Sequence, residues 1–406
     1  MNQLIRELLG LQGWVLYRVK VAEDRIDVYG GRPRKQARCP VCGTLTRSVY
    51  DRAEEWRSKL HTWCNGVPVY LWVRPRRFQC SGCRKVFTEQ FPGIRPWARR
   101  TEHAEEELLR RLAHRSFQGA AQEAGVSPGV LRRLLLKRVA AQVDLEAALQ
   151  DLPAVVLGID EHSYRGQDMM ITVTCVWPEK RLLAILPHDR LSTLVQFLQG
   201  LSESVRQRIR AVCIDLKEAW RQAVKRELPG VPIVADPFHV IQDANRRVDE
   251  ARRVEQQVTR QRLPRWPLLK NEDELTERQA TQLAEIRKRH ANVAHFHWVK
   301  EQLRDVYRAS SRDEAAKILD RVIFNTQAAS DVELVQWGRT LRRWREAILA
   351  YHDWRVSNGY TEGVHTKIKL LKRISYGFRN RQVYVRKMLL AFVPLAWLAT
   401  VPHFLT

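Results

Sequence analysis

The stretch that decides the fold is Val155-Val156-Leu157-Gly158-Ile159-Asp160-Glu161, an apolar run that ends in two carboxylates. A short, β-branched run between Pro153 and the turn residues that begin at Ser163 predicts a central strand buried on both faces. Ligands and metal ions collect at the carboxyl ends of such strands in open α/β sheets. Asp160 is therefore the first candidate for a functional side chain.

The chain is long and strongly basic. Its 406 residues are enough for two or three domains, and a hydrophobic content of 45% can give each domain a core. The 69 Lys and Arg residues outnumber the 45 Asp and Glu residues, which leaves a net charge of +24. This surplus favours a polyanionic partner, and nucleic acid is the first expectation. The sequence contains neither a transmembrane-length apolar run nor a signal-peptide core, which predicts a cytoplasmic protein with reduced cysteines.

Two cysteine pairs lie in the first hundred residues, in Cys39-Pro40-Val41-Cys42 and Cys80-Ser81-Gly82-Cys83. Two thiolates separated by two residues can chelate one ion from a tight turn, and two such turns complete a tetrahedral zinc site. Free thiols or a disulfide are the alternatives. Residues 1–100 are thus predicted to form a small zinc-binding β domain with one structural Zn²⁺. The basic residues beside the second pair, Arg76 and Arg77, are candidate DNA contacts, with a solvated basic face as the alternative.

Residues 101–150 change to helical periodicity. Helices are predicted at 105–113, 117–124 and 129–139, with Gly125 in the left-handed position after the second helix. Ser127 suits the N-cap of the third helix and Pro128 its first turn. This arrangement predicts a DNA-binding helix-turn-helix, against the alternative of a plain helical linker. The candidate DNA contacts on the third helix are Arg132, Arg133 and Lys137.

The segment after the opening strand alternates between strands and helices. Strands are predicted at 169–176, 181–187, 211–215 and 232–236, and helices at 191–205 and 218–227. Three antiparallel strands followed by two helix-linked parallel strands is the order of elements in the ribonuclease H fold. The predicted fold class is therefore an α/β ribonuclease H-like core, split into residues 151–240 and 346–406 by a helical insertion at 241–345. The zinc-binding domain and the helix-turn-helix precede this core.

Phosphodiester chemistry needs charge neutralisation at phosphorus and an activated nucleophile, and two Mg²⁺ or Mn²⁺ ions supply both. Such ions need hard oxygen ligands that converge from separate elements. Asp160, Asp215 and a late residue, Glu362, are predicted to be this catalytic and metal-binding trio. Asp236 competes for the second position, but it ends a strand that lies one place further from Asp160. Asp236 is otherwise a possible accessory residue. His239 and His365 are also possible accessory residues, or else satisfied structural histidines.

A helix is predicted at 362–372, after the turn at Asn358-Gly359. The basic residues in and after this helix are offset by almost no acidic residues, which favours a phosphate-binding track over a solvated helix face. These candidate DNA contacts are Lys367, Lys369, Lys372, Arg373 and Arg379.

Taken together, these motifs resemble the IS-L-three family of bacterial insertion-sequence transposases. The resemblance covers nearly the whole chain and includes the cysteine pairs, the helix-turn-helix, Gly158-Ile159-Asp160-Glu161, Cys213-Ile214-Asp215, Ala235-Asp236-Pro237-Phe238-His239-Val240, and the string from Asn358 to Asn380. It implies a DDE-type transposase that binds the terminal inverted repeats of its element, cuts its ends and joins the freed 3′-hydroxyls to target DNA. It also implies that Asp160, Asp215 and Glu362 bind the metal ions.

The same resemblance implies partners and location. The expected partner is double-stranded DNA, bound by a homodimer or a higher oligomer because two element ends must be cut together. The expected location is the nucleoid in the cytoplasm, without a membrane partner. Two alternative functions stay open at this point: a ribonuclease H-like nuclease that cuts without joining, and a catalytically inactive DNA-binding regulator.

Overall fold

A computed structural model describes residues 2–33 and 36–398, which divide into two compact units. Among the described residues, the first unit comprises those up to 140 together with 370–391, and the second comprises 141–369 and 392–398. The segments predicted at 101–150 and 346–406 each cross from one unit to the other. Residues 399–406 of the second of these segments lie outside the described range.

The N-terminal part of the first unit is a β module. Its core contains Leu11, Val28 and Leu71, with Trp14 stacked on Phe91 at 5.3 Å between ring centroids. The module has a four-stranded sheet in the order β1-β2-β7-β6, a three-stranded sheet in the order β5-β8-β9, and the pair β3-β4. Its elements are α1 Asn2–Leu8, β1 Val15–Val21, β2 Ile26–Gly31, β3 Ala37–Arg38, β4 Leu45–Thr46, β5 Val49–Arg52, β6 Arg57–Cys64, β7 Val67–Val73, β8 Arg76–Gln79 and β9 Val86–Thr88.

Three helices follow the β module: α2 Glu102–Ala113, α3 Phe117–Ala124 and α4 Pro128–Arg138. The first begins earlier than predicted because the Thr101 side chain caps it by accepting a hydrogen bond from the backbone of Ala104. Gly125 has a φ of +64° and Pro128 opens α4, as predicted. Ser127 has the extended backbone of an N-cap, but its side chain makes no capping hydrogen bond.

The second unit is built on a five-stranded sheet in the order β12-β11-β10-β13-β14. The β12-β11 and β11-β10 pairs are antiparallel, whereas β10-β13 and β13-β14 are parallel. β10 is central, and its residues from Val155 to Asp160 are all buried. The elements of this part are α5 Leu145–Leu149, β10 Val155–Arg165, β11 Asp168–Trp177, β12 Arg181–Leu186, α6 Leu191–Gln199, α7 Glu203–Arg206, β13 Ile209–Ile214, α8 Glu218–Glu227 and β14 Ile233–Ala235.

Two local predictions are wrong. The central strand does not end at Glu161 but continues to Arg165, because it forms a hairpin with β11. Its parallel pairing with β13 stops at Ile159 opposite Ile214, so Asp160 lies inside a strand but just beyond the parallel ladder. The helix predicted at 191–205 is two helices, since α6 ends at Gln199 with Gly200 as its C-cap, and the side chain of Ser202 caps α7.

The region after β14 is helical, and no strand interrupts residues 240–345, all of which the structure describes. Trp337 and Trp344 are 1% and 2% exposed and anchor the helical packing, whereas Trp266 is exposed. The helices are α9 Pro237–Thr259, α10 Trp266–Leu269, α11 Glu277–Arg289, α12 Ala291–Arg308, α13 Arg312–Gln327, α14 Val332–Leu349, α15 Tyr351–Trp354 and α16 Gly359–Ile374, with a 3-10 turn at Glu272–Glu274. Within residues 2–33 and 36–398, no helix is both long and apolar enough to cross a membrane.

The last helix is α17 Arg381–Phe392, and its residues up to 391 belong to the first unit. Lys387 is fully buried, and its Nζ donates to the carbonyl oxygen of Ala113 at the end of α2, 2.8 Å away. Arg386 Nε donates to the carbonyl oxygen of Val139 just after α4, 2.7 Å away. Both cations therefore satisfy carbonyls at helix C-termini, where unpaired acceptors and the helix dipole favour positive charge.

Candidate active site and zinc site

Acidic side chains from three separate elements meet in the second unit. Asp160 lies on β10, Asp215 directly follows β13, and Glu362 lies in the first turn of α16. Possible ligand atoms of Asp160, Asp215 and His239 lie within 4.8 Å of one another, and so do those of Asp160, Glu362 and His365. Asp160 is thus common to two clusters that together hold the predicted trio and both accessory histidines.

The parallel pairing of β10 with β13 explains why Asp160 and Asp215 are neighbours. Ile159 lies opposite Ile214, so the residue that follows each of them emerges at the same edge of the parallel ladder. Asp160 is 3% exposed, and Asp215 is half-buried. The register of one strand pair therefore places one fully buried and one partly accessible carboxylate side by side.

The start of α16 is fixed to the sheet by hydrogen bonds. Asn358 donates its backbone N–H to Asp236 Oδ1 at 2.9 Å and its side-chain Nδ2 to the carbonyl oxygen of Ile159 at 3.2 Å. One turn later, the hydroxyl oxygens of Thr361 and Thr174 are 2.7 Å apart. These bonds hold the first turn of the helix, which carries Glu362, against the two central strands.

Gly158 allows this close approach. A Cβ atom at this position would lie 2.6 Å from Asn358 Oδ1, 2.7 Å from Val176 Cγ1 and 2.8 Å from Thr174 Oγ1. These distances are shorter than real Cβ contacts allow. The glycine in the opening stretch is therefore required for the helix to reach the strand.

The carboxylates are crowded and incompletely paired. Burial, together with the charge of Asp215, raises the pKa of Asp160 to about 7. Asp160 Oδ2 and Asp215 Oδ1 are buried oxygens without a hydrogen-bond partner. His239 Nδ1 is 2.8 Å from Asp215 Oδ1, but its hydrogen bond is made with Asp236 Oδ2. A divalent cation would satisfy both oxygens, and a set of hard oxygen ligands suits Mg²⁺ or Mn²⁺.

The two histidines differ in charge. Burial lowers the pKa of His239, but its contacts with Asp215 and Asp236 outweigh burial and raise this pKa to about 10. Burial, together with the charge of Lys369, lowers the pKa of His365 to about 4. Without metal, His239 is therefore a cation between two carboxylates, whereas His365 is a neutral ring near Asp160.

Asp236, the competitor of Asp215, has both oxygens engaged inside the protein. It is 1% exposed and caps α9 by accepting from the backbone N–H and the ring of His239, while its other oxygen accepts from Asn358. It belongs to none of the clusters of possible metal ligands among the described residues. Of these two carboxylates, only Asp215 has a buried oxygen without a hydrogen-bond partner.

Other acidic groups near these elements already have internal cations. Glu161 pairs with Lys217 and therefore does not join the cluster around Asp160. A separate group of Glu272, His297 and Glu301 contains the buried Lys300, whose Nζ is 2.6 Å from Glu301 Oε1. Lys217 compensates Glu161, Lys300 compensates Glu301, and Arg287 pairs with Glu272, so cations of the protein already neutralise these carboxylates.

Several residues that contact the site were not predicted from the sequence. Thr172 and Thr174 are two residues apart in an otherwise apolar strand, so both lie on the same face of β11, and this spacing was an available signal. Thr172 Oγ1 contacts rings of both His162 and His365, at 2.8 and 3.0 Å. The role of Thr361 had no comparable signal, because it depends on contacts between distant parts of the chain.

The four predicted zinc ligands, Cys39, Cys42, Cys80 and Cys83, form one cluster in the first unit. Their sulfurs are 3.7 Å apart in the Cys39–Cys83 pair and 3.4 Å apart in the Cys42–Cys80 pair. A tetrahedral ion with bonds of about 2.3 Å places its sulfurs roughly 3.8 Å apart. The backbone N–H groups of Gly82 and Cys83 also point at Cys80 Sγ. The four side chains therefore fit a structural Zn²⁺.

We expect the purified protein to contain one equivalent of zinc, and the double variant Cys39→Ser/Cys80→Ser to contain none. Metal content measured by mass spectrometry checks this expectation. Cys64→Ser is the matched control, because Cys64 is an exposed cysteine outside the cluster. Zinc that persists in the double variant at the level of the control would contradict the site.

The side chains predicted to contact DNA differ in exposure and in their pairing with acidic residues. Arg76 is 7% exposed and paired with Glu89, so it is a structural partner, which corrects its assignment as a DNA contact. Arg77 is more exposed but pairs with Asp51, and Lys372 is half-buried. The remaining candidates are exposed: Arg132, Arg133, Lys137, Lys367, Lys369, Arg373 and Arg379.

Comparisons with known proteins identify relatives of this chain. A family model described as "Transposase", for DDE transposases of the IS-L-three type, matches residues 157–388. The chain is 24% identical to the transposase for insertion sequence element IS1001 of Bordetella parapertussis, over 96% of this chain and 98% of that relative. It is 28% identical to the transposase for insertion sequence element IS1557 of Mycobacterium tuberculosis, over 94% of each chain.

Among solved structures, the Drosophila P element transposase strand transfer complex matches with a TM-score of 0.42 and 12% identity, covering 72% of this chain and 92% of that chain. The family match spans more than half of the 406 residues. The chain belongs to the IS-L-three family of DDE transposases and is a DNA transposase.

Proposed function

We propose that this transposase binds the terminal inverted repeats of its insertion sequence, cuts DNA at those ends and transfers the strands to target DNA. The observation that carries the proposal is the position of Asp160, which is shared by the cluster with Asp215 and the cluster with Glu362. When bound there, two Mg²⁺ or Mn²⁺ ions neutralise charge at phosphorus and lower the pKa of water. The trio of carboxylates would hold these ions.

The surrounding residues orient this site. The bonds of Asn358 and Thr361 keep Glu362 facing the strands, and the His239 cation lies against Asp215. Because Asp160 is buried and Asp215 and Glu362 are only partly so, a phosphate can approach from the side of the latter two. This asymmetry makes Asp160 the least hydrated of the three carboxylates.

The proposal extends to the domains. We assign residues 151–240, which contain the five-stranded sheet, and residues 346–406 to a ribonuclease H-like core interrupted by the insertion at 241–345. The zinc module at 1–100 and the helix-turn-helix at 101–150 would recognise the element ends. Exposed residues on α4 would contact bases in the major groove, while the other exposed cations would grip phosphates.

Cutting two ends together requires a dimer or a higher oligomer acting on double-stranded DNA of the nucleoid. The direct test incubates the protein and Mg²⁺ with labelled element ends and a target plasmid. Joined products are expected. Cut ends without joined products would indicate a nuclease, and binding without either product would indicate a regulator.

We expect Asp215→Asn to lose activity and Asp236→Ala to lose stability. Asp215→Asn should lower metal-dependent cleavage by about 10³-fold without lowering stability, because it removes a ligand from a crowded acidic cluster. Asp236→Ala should cost about 2–4 kcal/mol of unfolding free energy, because it leaves the donors of Asn358 and His239 unpaired. Cleavage assays and urea unfolding without metal measure the two effects.

The opposite pattern would reverse the assignment. If Asp236→Ala were as stable as the parent protein but inactive, and Asp215→Asn still cut DNA, then Asp236 would be the second catalytic carboxylate.

A further inference from the structure

Tyr376 lies in the loop between α16 and α17 and is 98% exposed, more than any other large hydrophobic side chain among the described residues. Its φ is +53°, in the left-handed region that is unfavourable for residues with a Cβ atom. Glycine or asparagine would adopt this backbone more readily. Exposing this aromatic ring to water and holding its backbone in the left-handed region therefore both cost free energy.

The loop that carries this ring is held at both ends. Tyr376 N–H donates to the carbonyl oxygen of Arg373 at 3.1 Å and closes the end of α16. Asn380 Oδ1 accepts from the backbone of Val383 at 2.9 Å and caps the start of α17. Phe378 is buried and packs edge-on against Tyr384. One aromatic ring of the loop thus faces the core, and the ring two residues earlier is presented outward on a fixed turn.

The sequence around Tyr376 is cationic. No acidic residue follows Glu362, and the exposed residues Arg373 and Arg379 come three residues before and three residues after Tyr376. The loop belongs to the same compact unit as α2, α3 and α4. A ring flanked by guanidinium groups is complementary to a ligand that has both flat apolar faces and phosphates.

We propose that Tyr376 stacks on an unpaired base of DNA while Arg373 and Arg379 contact the flanking phosphates. The base is unpaired because base faces inside a duplex are covered by their neighbours, whereas a single strand exposes them. Stacking of this kind tolerates any sequence, since every base has a π-face. The inference rests on the proposed function, which brings DNA to this unit.

Two variants at Tyr376 separate stacking from a structural role. Tyr376→Phe keeps the ring and the unfavourable backbone, whereas Tyr376→Asn removes the ring and suits the left-handed turn. The probes are a fluorescein-labelled single strand of roughly 20 nucleotides, longer than the sites of about 4–16 nucleotides such surfaces cover, and a blunt duplex of the same sequence. Anisotropy gives the dissociation constants, and thermal unfolding checks the fold.

We expect Tyr376→Phe to bind the single strand within about twofold of the parent protein, and Tyr376→Asn to bind it about 5- to 100-fold more weakly. The melting temperature of Tyr376→Asn should not fall, and its affinity for the duplex should change by less than about twofold. A purely structural role predicts the reverse, because asparagine fits this backbone better than phenylalanine.

Trp97→Asn is the matched control. Trp97 is 88% exposed, has a φ of +60° and lies in the first unit, but Arg57 already packs on its ring. The groove beside it contains the acidic residues Glu54 and Glu55 as well as basic ones, so its charges largely offset one another. Single-strand affinity should therefore be unchanged in this variant.

Three results would overturn the stacking proposal: unchanged single-strand binding by Tyr376→Asn, an equal loss on both probes, or an equal loss in Trp97→Asn. Cleavage of labelled element ends by the parent protein is measured in parallel. If the parent cuts these ends, such a result rejects stacking alone. If the parent neither binds nor cuts them, the proposed function fails as well.

Discussion

Asp160→Asn is expected to lower metal-dependent strand cleavage by about 10³-fold or more while raising the melting temperature of the metal-free protein. Activity falls because the side chain shared by both acidic clusters loses an anionic oxygen for the metal ions. Stability rises because a buried carboxylate beside Asp215 and Glu362 is disfavoured by desolvation and by like charge. A gain of about 1 kcal/mol corresponds to roughly 2–4 °C in a unit of this size.

Cleavage of labelled ends and thermal unfolding, with and without Mn²⁺, measure the two effects. Mn²⁺ should raise the melting temperature of the parent protein and have little effect on Asp160→Asn. Glu161→Gln is the control on the same strand, because Glu161 pairs with Lys217 and should be dispensable for cleavage. Full cleavage by Asp160→Asn would remove Asp160 from the site.

Gly158→Ala is expected to destabilise the second unit by about 3 kcal/mol or more and to abolish cleavage. The added methyl group would lie within 2.8 Å of Asn358, Val176 and Thr174, so the Asn358 side chain or the neighbouring strand must shift. Because Asn358 anchors the start of α16, we expect this shift to separate Glu362 from Asp160. Urea unfolding measures the loss of stability, and the end-cleavage assay measures the loss of activity.

Gly363→Ala provides the comparison within α16. Apart from its chain neighbours and the backbone of its own helix, no atom lies within 4 Å of a Cβ built at Gly363, so alanine there should stabilise the helix by about 0.5–1 kcal/mol. Equal stability of Gly158→Ala and the parent protein would show that α16 does not depend on this close approach.

Local sequence signals were sufficient for most helices and for the central strand. Gly125 and Pro128 specify the turn between α3 and α4 through their own backbone preferences, without distant partners. The continuation of β10 to Arg165 had no such signal, because residues 162–165 are polar and become a strand only by pairing with β11. Pairing between strands is not encoded in one stretch alone.

In the candidate site, too, some residues had local sequence signals and others depended on distant partners. Apolar runs that end in acids were enough to select Asp160 and Asp215, since parallel neighbours place their ends together. Strand order favoured Asp215 over Asp236, but the hydrogen bond that engages Asp236 with Asn358, more than a hundred residues later in the sequence, had no local signal. The burial of Arg76 likewise depends on Glu89 from outside its own strand, which no local pattern reveals.

The docking of α17 has a consequence for synthesis of the protein. A ribosome makes residues 1–140 first, then the whole of 141–369, and only afterwards the helix that brings Lys387 and Arg386 to the ends of α2 and α4. Until then the carbonyls at those ends lack their cations. A nascent chain, or one cut short before residue 370, therefore carries an incomplete first unit. The first unit can be completed only after Asp160, Asp215 and Glu362 have all been synthesised.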